Sequence, residues 1–158
     1  MSSLKEMHTA EHILTRVMKD HFGCTRNFEM HLGERKSKCD YDFPQELSEE
    51  DIHRIEALVN AEIERGHPVT SETIPIAQAA EEYDLWKVPE GAAEIRIVRI
   101  GDFDATPCAG EHVASTAKLG RFKIISYTRK DDGLWRIRFK LLPSHDSPPG
   151  SGAAGKES

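Results

Sequence analysis

Hydrophobic residues recur at intervals of three and four over residues 3 to 22, which is the spacing of one face of an α-helix. They are Leu4, Met7, Ile13, Leu14, Val17 and Met18. Gly23 follows and is a typical C-terminal stop. The sequence therefore predicts a first helix that carries His8 and His12 one turn apart on the same side.

A second helix is predicted between Ser48 and Gly66. Ser48 and Asp51 have the spacing of a capping box, and an apolar face follows them with Ile52, Ile55, Leu58, Val59 and Ile63. A third, short helix is predicted for residues 76–83, with Pro75 at its tolerated first turn.

The remaining hydrophobic segments alternate with period two or form short apolar runs bounded by turn residues, which is typical of strands. The pattern predicts a hairpin over residues 28–43 that turns near Gly33, and strands at 69–74, 94–100, 121–127 and 134–142. Asp131, Asp132 and Gly133 form the turn between the last two strands. The segment GDFDATPCAG, residues 101–110, is predicted to be a loop.

This order of elements favours an α+β fold in which helices pack on an antiparallel sheet, because no glycine-rich phosphate loop opens a helix after a strand. Residues 1–143 are expected to form one domain, and 38% hydrophobic residues suffice for its core without disulfides or an obligatory metal. Residues 144–158 are rich in Pro, Gly and Ser and predict a disordered tail.

The net charge of −6 argues against a general nucleic-acid binder, because phosphate neutralisation supplies most non-specific affinity. Any RNA contact must therefore be local. Basic residues cluster in three places, and each cluster alone is best interpreted as a solvated strand face, although together they could cradle the end of an RNA. The clusters are Arg35, Lys36 and Lys38; Lys118, Arg121 and Lys123; and Arg129, Lys130, Arg136, Arg138 and Lys140.

An odd number of cysteines with no repeating spacing argues against a secreted disulfide framework. The N-terminus has no apolar signal stretch, and no later run is long enough to span a membrane. A cytoplasmic protein with no membrane partner is the expectation.

Two pairs of metal-ligating residues stand out. His8 and His12 share a helix face, and Cys108 and His112 lie four apart in a segment that Pro107 and Gly110 should turn sharply. Three imidazoles and one thiolate suit a tetrahedral Zn²⁺, one ion per chain. Cys24 and Cys39 are expected to be small buried residues outside this site.

A competing interpretation is that residues 8–12 form the H-x-x-E-H signature of inverted zinc peptidases, with Glu11 as general base. That enzyme would need a carboxylate ligand such as Glu81, Glu82 or Glu90, and it would leave Cys108 and His112 without a role. The short chain also offers little room for a peptide cleft.

The segment IRIVRIGDFDATPCAGEHVASTAKLGRFKIIS, with HTAEHIL near the start, resembles the editing domain of alanyl-tRNA synthetase and the free-standing AlaX-type alanyl-tRNA deacylases. The second additional domain of threonyl-tRNA synthetase is similar through the same HxxxH and CxxxH skeleton. The resemblance covers roughly residues 4 to 142 and implies the fold of that superfamily.

By this resemblance, His8, His12, Cys108 and His112 match the zinc ligands, and Thr9 falls where a hydroxyl helps to sense the amino-acid side chain. Asp102 and Thr116 fall on recurring positions without an assigned role. The implied function is a zinc-dependent trans-editing hydrolase that clears seryl or glycyl groups from alanine tRNA. Its partner would be the tRNA acceptor end, and a homodimer stays open.

Two features keep the activity and substrate open. Related sequences read CGGTH or C-x-G-P-H, whereas this chain has Ala109, Gly110 and Glu111 between the two ligands, so Gly110 and Glu111 are expected beside the substrate. Four protein ligands are also typical of a closed structural site, in which case the substrate itself or Glu11 would activate the water. A non-catalytic zinc module that binds RNA ends or a synthetase is the alternative.

Overall fold

The computed structural model describes residues 4–86 and 88–143. The predicted C-terminal tail, residues 144–158, lies outside the described residues. Between the fifth and sixth strands lies one short 3₁₀ helix, Thr116–Leu119. In chain order the elements are α1 Leu4–Phe22, β1 Asn27–His31, β2 Ser37–Tyr41, α2 Glu49–Glu64, β3 Val69–Pro75, α3 Ile76–Glu82, β4 Glu94–Ile100, β5 Asp104–Pro107, β6 Arg121–Arg129 and β7 Trp135–Leu142.

The fold is α+β, as the sequence predicts, and its strands are divided between two antiparallel sheets. One sheet has the order β1-β2-β7-β6 and the other β3-β4-β5. The segment 101–110 was expected to be a loop, and this prediction is wrong for residues 104–107. These four residues form β5, because they pair with β4 from Ile100 opposite Asp104 to Ile97 opposite Pro107.

The hydrophobic core lies between α1, α2 and the inner face of the four-stranded sheet. On β7 the inward residues Trp135, Ile137, Phe139 and Leu141 are buried, which confirms the predicted alternation. Residues from α1 such as Met7 and Ile13 are fully buried against them.

Residues at the helix starts determine where α2 and α3 begin. Ser48 Oγ accepts a hydrogen bond from the backbone of Asp51, and the Asp51 carboxylate accepts one from the backbone of Ser48, so the predicted capping box is confirmed. Pro75 lies one position earlier than expected, as the last residue of β3 and the N-cap of α3.

The outer face of the four-stranded sheet carries most of the cationic side chains of the second and third sequence clusters. Lys38 is opposite Arg138, and Lys123 is opposite Lys140, and residues paired in this way share a face. In the described ranges, no helix is long and apolar enough to cross a membrane.

Candidate metal centre

Four metal-ligating side chains meet beside α1. The structure brings together His8, His12, Cys108 and His112, whose ligand atoms all lie within 4.8 Å of one another. The sulfur of Cys108 is 3.4 Å from Nε2 of His8 and 3.4 Å from Nε2 of His112. Tetrahedral zinc bonds of about 2.3 Å to sulfur and about 2.05 Å to nitrogen place such atoms about 3.5 Å apart. The four residues could therefore hold one metal ion, and their spacing fits zinc.

The two pairs reach the site from different parts of the fold. His8 and His12 project from one side of α1, whereas Cys108 and His112 lie in the segment that follows β5. This segment is anchored to β4, because the Cys108 N–H donates to the carbonyl of Arg96 and the Arg96 guanidinium donates to the carbonyl of Gly110 at 2.6 Å. The β-sheet thus fixes the second pair of donors relative to the helix.

Gly110 is required by the close approach of this segment to α1. A Cβ atom at Gly110 would overlap the imidazole ring of His8. Its own N–H donates to the Cys108 sulfur at 3.3 Å. Gly110 therefore lets the backbone pass directly over a ligand while it stabilises negative charge on the thiolate.

Asp104 orients His12 from behind. Its Oδ2 atom lies 3.7 Å from His12 Nδ1, while Arg16 and Thr106 donate to the same carboxylate. The 3.7 Å distance is too long for a direct hydrogen bond, but the negative charge favours a proton on Nδ1 and leaves Nε2 for a metal. The sequence had singled out Asp102, which is exposed; the buried residue is Asp104, two positions later.

Thr9 occupies the equivalent position behind His112. Its side chain is fully buried, and its hydroxyl donates to the carbonyl of Lys5 and lies 3.0 Å from His112 Nδ1. With its proton committed to Lys5, the hydroxyl accepts from the His112 ring and leaves Nε2 towards Cys108. The predicted contact of Thr9 with substrate stays a prediction, whereas the structure shows its contact with the His112 ring.

Glu11 is a buried carboxylate beside the four donors. Its Oε1 lies 3.9 Å from His8 Nε2 and 3.8 Å from His12 Nε2. Its Oε2 accepts hydrogen bonds from Thr15 at 2.7 Å and Asn27 at 3.1 Å. One oxygen is thus held by Thr15 and Asn27 while the other faces the cluster. The sequence did not indicate that these two residues would contact Glu11.

The surroundings favour the thiolate form of Cys108. Burial opposes the charged form, but the interactions of the Cys108 sulfur with His112, His12 and His8 outweigh it and lower the pKa of Cys108 to about 3. For His112, burial and the neighbouring histidines lower the pKa. For His12, burial is outweighed by the interactions with Asp104, Cys108 and Glu11, which raise the pKa to about 10, so a metal ion would have to displace a proton from His12. The thiolate and the neutral imidazole are the forms that bind metals.

The cluster lies in a cleft of about 720 Å³ between α1, β1, the three-stranded sheet and residues 82–84, 86, 88 and 89. Of the predicted site residues, the lining includes His8, Glu11, His12, Cys108 and Gly110. Glu111 is exposed, and its predicted contact with substrate stays a prediction.

The geometry does not favour the peptidase interpretation. Among the described residues, Glu82 lines the cleft, but Glu81, Glu82 and Glu90 are all outside the metal-binding cluster. Instead, Cys108 and His112 lie beside the two helical histidines, where the further ligands would be.

Thr116 is a structural residue. Its hydroxyl accepts a hydrogen bond from the backbone of His67 at 2.8 Å and contacts the carbonyl of Ile63 at 3.2 Å. The side chain is fully buried and joins the end of α2 to the segment before β6.

Comparison with known proteins agrees with the family resemblance of the sequence motifs. Residues 95–138 match the threonyl and alanyl tRNA synthetase second additional domain. The alanyl-tRNA editing protein AlaX-L of Pyrococcus horikoshii is 35% identical over 147 residues, covering 85% of this chain and 33% of that protein. The alanine–tRNA ligases of Bacillus velezensis and Bacillus subtilis are each 33% identical over 138 residues, covering 86% of this chain and 16% of each ligase.

The residues matched by the family model include most of β4, all of β5 and the segment after it that carries Cys108 and His112. The chain is homologous to the alanyl-tRNA editing protein AlaX-L and to part of the alanine–tRNA ligases, and its residues 95–138 match the threonyl and alanyl tRNA synthetase second additional domain. It spans a third or less of the length of these relatives.

Proposed function

We propose that this protein is a zinc-dependent hydrolase that removes seryl or glycyl groups from mischarged alanine tRNA. The observation that carries the proposal is the juxtaposition of the four-donor cluster and the Glu11 carboxylate at one cleft. Homology to an alanyl-tRNA editing protein and to alanine–tRNA ligases supports the choice of substrate. The partner is the tRNA acceptor end, and the cofactor is one Zn²⁺ per chain held by His8, His12, Cys108 and His112.

Hydrolysis of the aminoacyl ester needs a water that loses a proton and a ribose oxygen that gains one. His8, His12, Cys108 and His112 would hold a zinc ion, which would supply the positive charge that polarises an ester carbonyl and makes a nearby water more acidic. Glu11 is the group that would accept the proton from water, because its Oε1 faces the cluster while Thr15 and Asn27 hold its Oε2.

The hydrolysis requires no reactant other than the ester and water. The water oxygen forms a bond to the ester carbonyl carbon, and the bond from that carbon to the ribose oxygen breaks. Glu11 passes the water proton to the leaving ribose oxygen. The products are the free amino acid and a tRNA with its terminal hydroxyl restored.

Selection of the amino acid is assigned to residues around Cys108 and His112. Gly110 lines the cleft next to His8, and the neighbouring Glu111 replaces the threonine or proline of related motifs. A carboxylate at this position would repel the tRNA backbone or change which aminoacyl group is accepted. Thr9 acts on the same site through His112, whose ring it orients.

The test is deacylation of seryl-, glycyl- and threonyl-tRNA by the purified protein, with alanyl-tRNA as the correctly charged control. We expect turnover of the seryl or glycyl ester, loss of turnover and of zinc in Cys108→Ala, and loss of turnover with zinc retained in Glu11→Gln. Glu111→Thr should change the ratio of rates on the three esters. An enzyme inactive on all three mischarged tRNAs contradicts the proposal.

A second candidate is a non-catalytic zinc module that binds RNA ends or a synthetase. The cluster has four protein donors, and four such ligands are the usual mark of a structural zinc site. Binding of tRNA without turnover, unchanged in Glu11→Gln, would favour this candidate over the hydrolase.

A further inference from the structure

Trp86 lines the same cleft as the metal centre but lies in the segment between α3 and β4. Three large hydrophobic side chains are strongly exposed among the described residues: Leu4, Trp86 and Ile125. Of these, Trp86 lines the cleft, and its side chain is 44% exposed. An exposed indole within a cleft points to a ligand with a flat face.

The indole is held in place by its neighbours. The Arg26 guanidinium carbon lies 4.7 Å from the centre of the Trp86 ring and 5.6 Å from that of Phe28. Asp84 pairs with Arg26 at 3.1 Å and accepts a hydrogen bond from the Trp86 backbone, also at 3.1 Å. The Phe28 and Trp86 rings are tilted by 51° with their centres 6.2 Å apart, and Arg26 contacts both, so an incoming ligand does not have to order the indole.

The charge of the cleft does not favour recognition by phosphate neutralisation alone. Its lining contains four basic and five acidic side chains, besides the histidines: Arg16, Lys19, Arg26 and Arg99 against Glu11, Glu82, Asp84, Asp102 and Asp104. A polyanion therefore gains little net attraction there. Stacking of a base on an aromatic ring needs no net positive charge and accepts any base.

We propose that Trp86 is the platform on which a base at the single-stranded 3′ end of the RNA substrate stacks. This inference rests on the proposed function, because the aminoacyl ester that reaches the metal centre is carried by the 3′-terminal nucleotide. Arg26 extends the platform and contributes a cation–π contact. Trp86 is thereby a substrate-binding residue outside the metal centre.

Intrinsic fluorescence measures this contact without any catalytic turnover. The chain has two tryptophans, and Trp135 is buried in the core with its Nε1 bonded to the carbonyl of Gln45. Titration with a short oligoribonucleotide ending in CCA should quench the Trp86 emission. The quenching should disappear in Trp86→Phe and weaken with matched oligonucleotides that are abasic at one of the last two positions.

Kinetics on seryl-tRNA supply the second measurement. Trp86→Ala should raise KM about 5- to 100-fold with little change in kcat, whereas Trp86→Phe should keep most of the affinity. Ile125→Ala is the matched control, because it removes an equally exposed hydrophobic side chain on β6, away from the cleft. Zinc content and circular dichroism should be unchanged in all three variants.

The inference and the proposed function fail in different ways. Deacylation with no quenching, or with the same KM in Trp86→Ala as in the native protein, overturns the role of Trp86 and leaves the hydrolase intact. Quenching by the CCA oligonucleotide without deacylation supports the role of Trp86 and contradicts the hydrolase.

Discussion

The carboxylate of Asp104 lies 3.7 Å from Nδ1 of His12, and Arg16 holds the same carboxylate at 2.9 Å. For Asp104, burial opposes the charged form, but its interactions with His12, Thr106 and Arg16 outweigh it, so the pKa of this carboxyl is lowered. A buried aspartate is thus kept ionised directly behind a metal-ligating ring.

Asp104→Asn should weaken zinc binding about 10- to 100-fold, because an amide orients His12 less firmly and does not increase its basicity. Competition with a chromogenic chelator measures the zinc affinity. Asp102→Asn is the control, since this exposed acid lies two residues away and should leave the affinity unchanged. Equal affinities for both variants would show that Asp104 does not support the site.

Thr9→Val should also weaken zinc binding, by about 10-fold, even when no RNA is present. The change removes the hydroxyl that lies against His112 Nδ1 and keeps the shape of the side chain. Thr9→Ser retains the hydroxyl and should bind zinc normally. If Thr9→Val changes only the choice of amino acid, Thr9 contacts the substrate instead of supporting the metal centre.

Gly110→Ala should displace His8 from the cluster, because the added Cβ overlaps its ring. We expect loss of more than about 10-fold in zinc affinity, with the fold retained. Ala109→Ser enlarges the exposed neighbouring side chain and is the matched control. Normal zinc binding by Gly110→Ala would mean that the segment after β5 can move away from α1 without cost.

The three cysteines should differ in reactivity at neutral pH. Burial raises the pKa of Cys24 to about 12 and that of Cys39 well above its ordinary value, whereas the pKa of Cys108 is lowered to about 3. Iodoacetamide should therefore modify Cys108 first in the metal-free protein, and Zn²⁺ should protect it. Peptide mass spectrometry measures both rates, and failure of zinc to slow the reaction at Cys108 would contradict a ligand role.

The ionisation of Asp40 should make the stability of the folded protein depend on pH. Burial opposes its charged form, but hydrogen bonds from Arg136 and Lys130 outweigh it and lower the pKa of Asp40. A lowered pKa in the folded state contributes stability above the unfolded-state pKa of about 4, and this contribution is lost as the pH falls through the folded-state value.

The measurement for Asp40 is urea unfolding between pH 7 and pH 3. Asp40→Asn should lower the free energy of unfolding by about 1–3 kcal/mol at pH 7, and the difference from the native protein should shrink below about pH 4. Asp20→Asn changes a half-exposed acid and should alter the stability little at any pH. A difference that stays constant down to pH 3 would contradict the role assigned to the Asp40 carboxylate.

Elements with a long hydrophobic repeat could be predicted from the sequence, and so could the four donors. The helix with His8 and His12 follows from local spacing, and the placement of Cys108 and His112 beside it follows from donor chemistry and family resemblance. β5 could not be predicted, because a four-residue segment has too short a pattern and becomes a strand only by pairing with β4.

The residues that contact the donors and Glu11 could not be predicted from local sequence patterns either. Asn27 reaches Glu11 from β1, and Asp104 reaches Arg16 across 88 positions, so neither contact has a signature in neighbouring residues. The GDFD sequence contains two aspartates that the sequence cannot rank. Their difference appears only when β5 turns Asp104 inward and leaves Asp102 exposed.

His8 and Cys108 are 100 residues apart in the chain, and their side chains meet on opposite sides of one junction between α1 and the three-stranded sheet. An ion bound there would close most of the polypeptide into a single covalent-like loop. A permanent cross-link over such a loop removes chain entropy from the unfolded state worth about 4–5 kcal/mol, and metal clips act in the same way. The stability of the folded protein would then rise with the concentration of free zinc.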